Sequence, residues 1–158
     1  MESNSQIELK RTDASNEAFR ELVAQLDVAL GNTYGAYQNF YNQYNQLDDI
    51  QHVLLAFHNG KAIGCGAIKK YNSHTMEVKR MFTMPEFRGR GAATQILNEL
   101  EKWSIEMSFT KCVLETGTEQ LEAISLYQKR GYKPIENYGQ YEGVETSVCF
   151  EKILFEKN

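Results

Sequence analysis

The 158-residue sequence has no basic block and no apolar run near the ~20 residues that cross a bilayer. A surface that neutralises nucleic-acid phosphates needs clustered Lys and Arg, and the formal charge here is −4, so no nucleic-acid partner is expected. No membrane partner is expected either. The opening Met1-Glu2-Ser3-Asn4-Ser5-Gln6 is polar and lacks the regions of a secretory leader, which points to a cytoplasmic location. Cysteine is scarce: Cys65, Cys112 and Cys149 are odd in number, widely spaced and each inside a strand-like run. Reduced, buried thiols are expected rather than a disulfide framework. His52, His58 and His74 show no metal-ligand spacing with them, so no metal is expected. No repeat, linker or low-complexity segment divides the chain. With 42% hydrophobic and 24% charged residues, one globular domain over residues 1–158 is expected.

What is present reads as alternating strands and helices. Ile7 and Leu9 alternate with polar residues, predicting a short strand. Asp13 or Ser15 then caps a helix carrying Phe19, Leu22, Val23, Leu26 and Leu30, which Gly31 ends. Tyr34, Tyr37, Phe40, Tyr41 and Tyr44 fall three and four apart, predicting a second amphipathic helix or helix-like loop over Tyr34 to Leu47. Val53 to Phe57 is an apolar strand, Asn59-Gly60 a hairpin turn, and Ala62 to Lys70 the returning strand. Gly64 and Gly66 in it suggest a bulge or a close backbone contact. A turn around Tyr71-Asn72-Ser73 leads to a strand over Met76–Thr83.

The next helix places Ile96, Leu97, Leu100, Trp103 and Met107 on one face, with Glu99, Glu101, Lys102 and Glu106 pointing elsewhere. Lys111 to Glu115 predicts a strand. Thr116 or Thr118 caps a helix over Glu119 to Arg130, with Gly131 as its C-cap. Strands at Tyr132–Ile135 and Ser147–Phe155 close the order. The passage from Met76 to Glu115 requires a parallel crossover, whereas the meander before it is antiparallel. The fold class is therefore α+β: a mixed central sheet with an antiparallel N-terminal meander, a β-α-β unit, and helices on both faces.

The chain is organised around Met84-Pro85-Glu86-Phe87-Arg88-Gly89-Arg90-Gly91-Ala92-Ala93-Thr94. Strand, glycine- and arginine-rich turn, and helix start together form an anion cradle. The first amides of a helix have no intrahelical acceptor, and the helix dipole adds positive potential. Gly89 and Gly91 clear the approach, and Arg88 and Arg90 add fork-shaped donors. A dinucleotide-binding βαβ reading fails: the third glycine is missing, and antiparallel strands precede the turn.

Arg88-Gly89-Arg90-Gly91-Ala92-Ala93, in this setting, resembles the Arg/Gln-x-x-Gly-x-Gly/Ala signature of the GNAT superfamily of N-acetyltransferases. Gln120-Leu121-Glu122-Ala123-Ile124-Ser125-Leu126-Tyr127-Gln128-Lys129-Arg130-Gly131-Tyr132 resembles the family's second stretch, Asn-x-x-Ala-x-x-x-Tyr-x-x-x-Gly-Phe/Tyr. The resemblance covers Lys61 to Lys152. Ala93 stands for the commoner glycine, Gln120 for asparagine and Tyr132 for phenylalanine.

The resemblance implies acetyl-CoA as co-substrate. Its pyrophosphate would lie on the amides of Arg88, Gly89, Arg90, Gly91, Ala92 and Ala93 and on the Thr94 hydroxyl. Its pantetheine arm would lie along Met81, Phe82 and Thr83. Gln120 and Tyr127 complete the implied cofactor side, and a bulge in the Met76–Thr83 strand would open a cleft for it. The impure alternation of Met76, Val78, Arg80 and Phe82 fits such a bulge. The resemblance is compatible with a homodimer.

Acetyl transfer to an amine needs a base, because an alkylammonium with pKa ~10.4 must lose a proton before attack. Glu77 lies where part of the family carries a catalytic glutamate, 11 positions before Arg88, and it interrupts an otherwise apolar strand start. Tyr127 is the candidate acid for the departing thiolate. Tyr34, Tyr37, Tyr41, Tyr138 and Tyr141 are candidate acceptor contacts, since aromatic faces suit a small-molecule or peptide amine. The leading expectation is an N-acetyltransferase working by direct attack in a ternary complex. The alternative is a non-catalytic acyl-CoA-binding regulatory or sensor module on the same fold.

Overall fold

The computed structural model describes residues 6–31 and 50–154. The predicted helix over Tyr34 to Leu47 lies outside them. The strands are β1 (Glu8–Thr12), β2 (His52–His58), β3 (Lys61–Asn72), β4 (Thr75–Thr83), β5 (Lys111–Gly117), β6 (Lys133–Ile135) and β7 (Ser147–Ile153). The helices are α1 (Glu17–Gly31), α2 (Ala92–Glu106) and α3 (Leu121–Lys129), with single 3₁₀ turns at Pro85–Phe87 and Gly139–Tyr141. Strand neighbours follow the order β1-β2-β3-β4-β5-β7-β6. β2 is antiparallel to β1 and β3, β4 is parallel to β5, and β7 is antiparallel to β5 and β6. The predicted mixed α+β sheet is what forms. No helix among the described residues is long and apolar enough to cross a membrane.

The chain divides into two compact units, Met1–Lys69 with Arg80–Leu100, and Lys70–Lys79 with Glu101–Asn158. In the first, Phe19, Leu22 and Val23 of α1 join Val53, Leu55, Cys65, Ala67 and Phe82 in one core. Leu30, expected on that face, is exposed, because α1 outruns the core at its C-terminal end. The cap of α1 is Asn16, not Asp13 or Ser15. Its Oδ1 accepts the amides of Ala18 at 2.9 Å and Phe19 at 3.4 Å, the two donors an N-cap side chain reaches. Asp13 is already taken by the amide and hydroxyl of Ser15. At the hairpin, Asn59 and Gly60 have φ of 51° and 81°, the double left-handed geometry that an Asn-Gly turn supplies. Gly66 is a close contact: a Cβ there would lie 2.6 Å from Met81 Sδ and 2.8 Å from Ile96 Cγ2.

In the second unit the predicted turn at Tyr71–Ser73 moves on by a residue. β3 continues through Asn72, whose Oδ1 accepts the His74 amide at 2.9 Å. Neither threonine caps α3. Gln120 occupies the N-cap without a side-chain bond, and the Thr118 amide is drawn to the Thr146 carbonyl at 2.9 Å. Glu101 does not point to solvent. It is buried, accepting the Tyr132 hydroxyl and the Lys152 ammonium, each at 2.9 Å. Cys112 and Cys149 are buried here and Cys65 in the first unit, all three free.

Candidate active site

In the first unit the chain leaves β4 where the Met84 N–H donates a hydrogen bond to the Ile63 carbonyl at 2.8 Å, then makes the Pro85–Phe87 turn. Gly89 and Gly91 follow with φ of 80° and 87°, a left-handed geometry that side chains resist. Gln95 N–H to Gly91 C=O at 3.0 Å is the first bond of α2. The amides of Ala92, Ala93 and Thr94 therefore precede any helix carbonyl they could reach. Space in front of the turn is open: a Cβ at Gly89 would meet nothing within 4 Å, and one at Gly91 only Gln95 Nε2 at 3.9 Å. Open amides, a helix N-terminus and exposed Arg88 and Arg90 fit a diphosphate.

Arg88 does more than offer charge. Its Nε donates to the Thr83 carbonyl at 2.8 Å, and its guanidinium lies 5.6 Å from the centre of the Phe82 ring. It thus ties the turn back to the strand end and leaves its terminal nitrogens for a ligand. Arg90 and Lys61 lie over the Phe87 ring at 5.2 and 5.8 Å. Within β4 the backbone turns left-handed at Arg80, φ 60°, where the alternation looked impure. The Arg80 carbonyl accepts the Cys65 thiol at 3.3 Å. Asp27 of α1 is 6% exposed, and burial raises its pKa to about 6 against the pull of the Arg80 charge.

The second unit contains the carboxylate. Register pairs between β4 and β5 are Thr75–Lys111, Met76–Cys112 and Glu77–Val113, so Glu77 is the last residue paired on that edge. Glu77 is only 8% exposed. Its Oε2 accepts the Tyr138 hydroxyl at 2.8 Å, and its Oε1 lies 3.6 Å from Lys79 Nζ. Tyr138 packs edge-on against Tyr71 at 5.1 Å and Tyr141 at 5.6 Å between ring centres. Burial and the Glu77 charge push the Tyr138 phenol far above its usual range, so it stays a donor. The Glu77 carboxylate is thus held in one orientation by Tyr138, whose ring Tyr71 and Tyr141 flank, and it lies next to the Lys79 ammonium.

The profile of the acetyltransferase (GNAT) family matches residues 16–132. The chain belongs to the GNAT acetyltransferase family. It is 32% identical over 151 residues to an IAA acetyltransferase of Azospirillum brasilense, covering 94% of this chain and 98% of that one. A solved structure from Klebsiella pneumoniae, described as an acyl-CoA N-acyltransferase, superposes with a TM-score of 0.81 at 28% identity, covering 96% of this chain and 99% of that chain. The PaiA N-acetyltransferase of Thermoplasma acidophilum, solved in complex with coenzyme A, shares the fold at 20% identity with a TM-score of 0.73, covering 94% and 99%. The protein is an acyltransferase.

Within this acetyltransferase Tyr127 is a buried side chain of α3, its ring 5.9 Å from Tyr132 and 6.5 Å from Phe150. Burial and the Glu115 charge raise its phenol pKa, which keeps the proton on. Gln120 is exposed at the N-cap of α3, and Thr94 is half-buried in the first turn of α2. Glu77, the candidate base, and Tyr138 and Tyr141, two of the candidate acceptor contacts, are brought together; Tyr34, Tyr37 and Tyr41 lie outside the described residues. Tyr71 and Lys79 were not expected there. Tyr71 read as a turn residue, and only the pairing of β3 and the Gly139–Tyr141 turn brings its ring to Tyr138. Lys79 had a readable signal: two residues after Glu77, it shares a strand face with it. No group of three or more His, Cys, Asp or Glu side chains able to hold a metal occurs among the described residues.

Proposed function

We propose that this acetyltransferase moves an acetyl group from acetyl-CoA to a primary amine by direct attack in a ternary complex, acting as a single domain over residues 1–158. The observation that carries the reading is the buried Glu77 carboxylate held by the Tyr138 hydroxyl at 2.8 Å. A carboxylate fixed in this way is oriented to take a proton, directly or through a water, from an ammonium approaching the tyrosines.

The residues that would hold acetyl-CoA are Arg88 to Ala93 with Thr94 at the diphosphate, the backbone of Met81, Phe82 and Thr83 along the pantetheine, and Gln120 and Tyr127 beside it. Bound acetyl-CoA supplies an activated acetyl thioester whose C–S bond breaks as the new C–N bond forms. The ammonium sheds two protons on the way to the amide: Glu77 takes the first before attack, and the second leaves the nitrogen as the C–N bond forms and restores the Tyr127 phenol. Tyr127, kept protonated by burial, returns a proton to the departing sulfur. Each turnover thus releases one proton to solvent. Three buried, free cysteines support a reducing, cytoplasmic setting.

The test is free-thiol release from acetyl-CoA with a panel of amines, as a pH profile of kcat/KM. Glu77→Gln is expected to lower kcat/KM by roughly 10²–10⁴ and to remove the acid limb. An unchanged profile removes Glu77 as the base. Thiol release with no amine in the panel, while acetyl-CoA still binds, removes the amine acceptor.

A further inference from the structure

The charge beside Glu77 narrows the acceptor. Lys79 Nζ lies 3.6 Å from Glu77 Oε1, and both side chains are largely buried. A simple ammonium entering next to Glu77 would face Lys79 as a like charge with little water to screen it. A second ammonium on the same molecule, as in a diamine, would make this worse. An acceptor carrying its own carboxylate close to the amine meets both charges with the opposite sign. The short spacing of the pair suits an amine and a carboxylate on one carbon. Tyr138, bonded to Glu77, carries the Tyr71 and Tyr141 rings on its own ring, so an aromatic surface extends from the pair, with Tyr71 exposed.

We infer that the acceptor is an α-amino acid with an apolar or aromatic side chain, its amine on Glu77, its carboxylate on Lys79 and its side chain against Tyr71, Tyr138 and Tyr141. The inference rests on the reading of Glu77 as the acceptor-side base. It adds Lys79 as a specificity residue and Tyr71 as a wall of the pocket.

Phenylalanine, phenylalaninamide and phenethylamine share a ring and an amine and differ in the carboxylate. The wild-type enzyme is expected to show kcat/KM for phenylalanine roughly tenfold or more above the other two, the scale at which a site rejects an analogue lacking a group it pairs with. Lys79→Met is expected to collapse that ratio toward one, and Lys79→Arg to keep it. Equal or better use of phenethylamine by wild type overturns the inference, as does a ratio unchanged in Lys79→Met. The base reading fails separately, in the Glu77→Gln profile. Turnover of amines without carboxylate preference therefore sinks this inference and leaves that reading standing.

Discussion

Asp27 offers the sharpest test of how this fold handles buried charge. It lies on α1 with 6% of its surface exposed, facing the charge of Arg80. Burial dominates and raises its pKa from 3.8 to about 6. The folded state thus binds the proton more tightly than the unfolded chain. The stability contributed by the neutral form is fully present below pH 3.8 and is lost as pH rises through about 6. At 1.36 kcal/mol per pH unit, the interval from 3.8 to 6 amounts to ~3 kcal/mol. Solvent near the helix surface trims this, leaving about 1.5–3 kcal/mol. Asp27→Asn removes the titration and keeps the shape. At pH 8 the variant is expected to be more stable by that amount, with a melting temperature about 3–12 °C higher. At pH 5 the wild-type side chain is mostly protonated in the fold, and the gain should shrink to about half. Thermal and urea unfolding of both proteins at pH 5, 6 and 8 reads this directly. A variant less stable than wild type at pH 8 would show that the attraction to Arg80 outweighs burial. A gain that stays constant down to pH 5 would refute the titration itself.

Two further outcomes follow from packing. Glu101→Ala strips the acceptor from the Tyr132 hydroxyl and the Lys152 ammonium, both at 2.9 Å, and should cost about 1–3 kcal/mol in urea unfolding. Gly66→Ala puts a methyl group 2.6 Å from Met81 Sδ, 2.8 Å from Ile96 Cγ2 and 3.0 Å from Leu100 Cδ1. The overpacking should cost about 1–3 kcal/mol. An unchanged melting temperature for either variant would contradict the contact it probes.

Much of the fold was readable because its signals are local. The Asn59-Gly60 turn, the apolar faces of α1 and α2 and the Gly89–Gly91 turn each depend on residues within a few positions of one another. The local backbone then follows from the residue types themselves. Caps were less readable, since Asp13, Ser15 and Asn16 are all competent N-caps. The choice fell to Asn16 once the Ser15 amide and hydroxyl had claimed Asp13. Glu101 misled for a related reason. A glutamate on a helix reads as solvated until Tyr132 and Lys152, far along the chain, arrive to satisfy it.

By itself the sequence determined the mixed α+β element order, the glycine turn at the start of α2 and Glu77 as a lone acid in an apolar strand. It also marked the family, through the turn and the Gln120–Tyr132 stretch. Only the tertiary structure decided what stands around Glu77. The Tyr138 hydroxyl bonds it across 61 positions of sequence, and Tyr71 joins through the end of β3. Such contacts depend on where strand pairing and loop closure bring distant side chains, and no local propensity encodes that placement. Lys79 stands between the two cases. Strand periodicity puts it on the face of Glu77, and the folded chain sets their ammonium and carboxylate 3.6 Å apart.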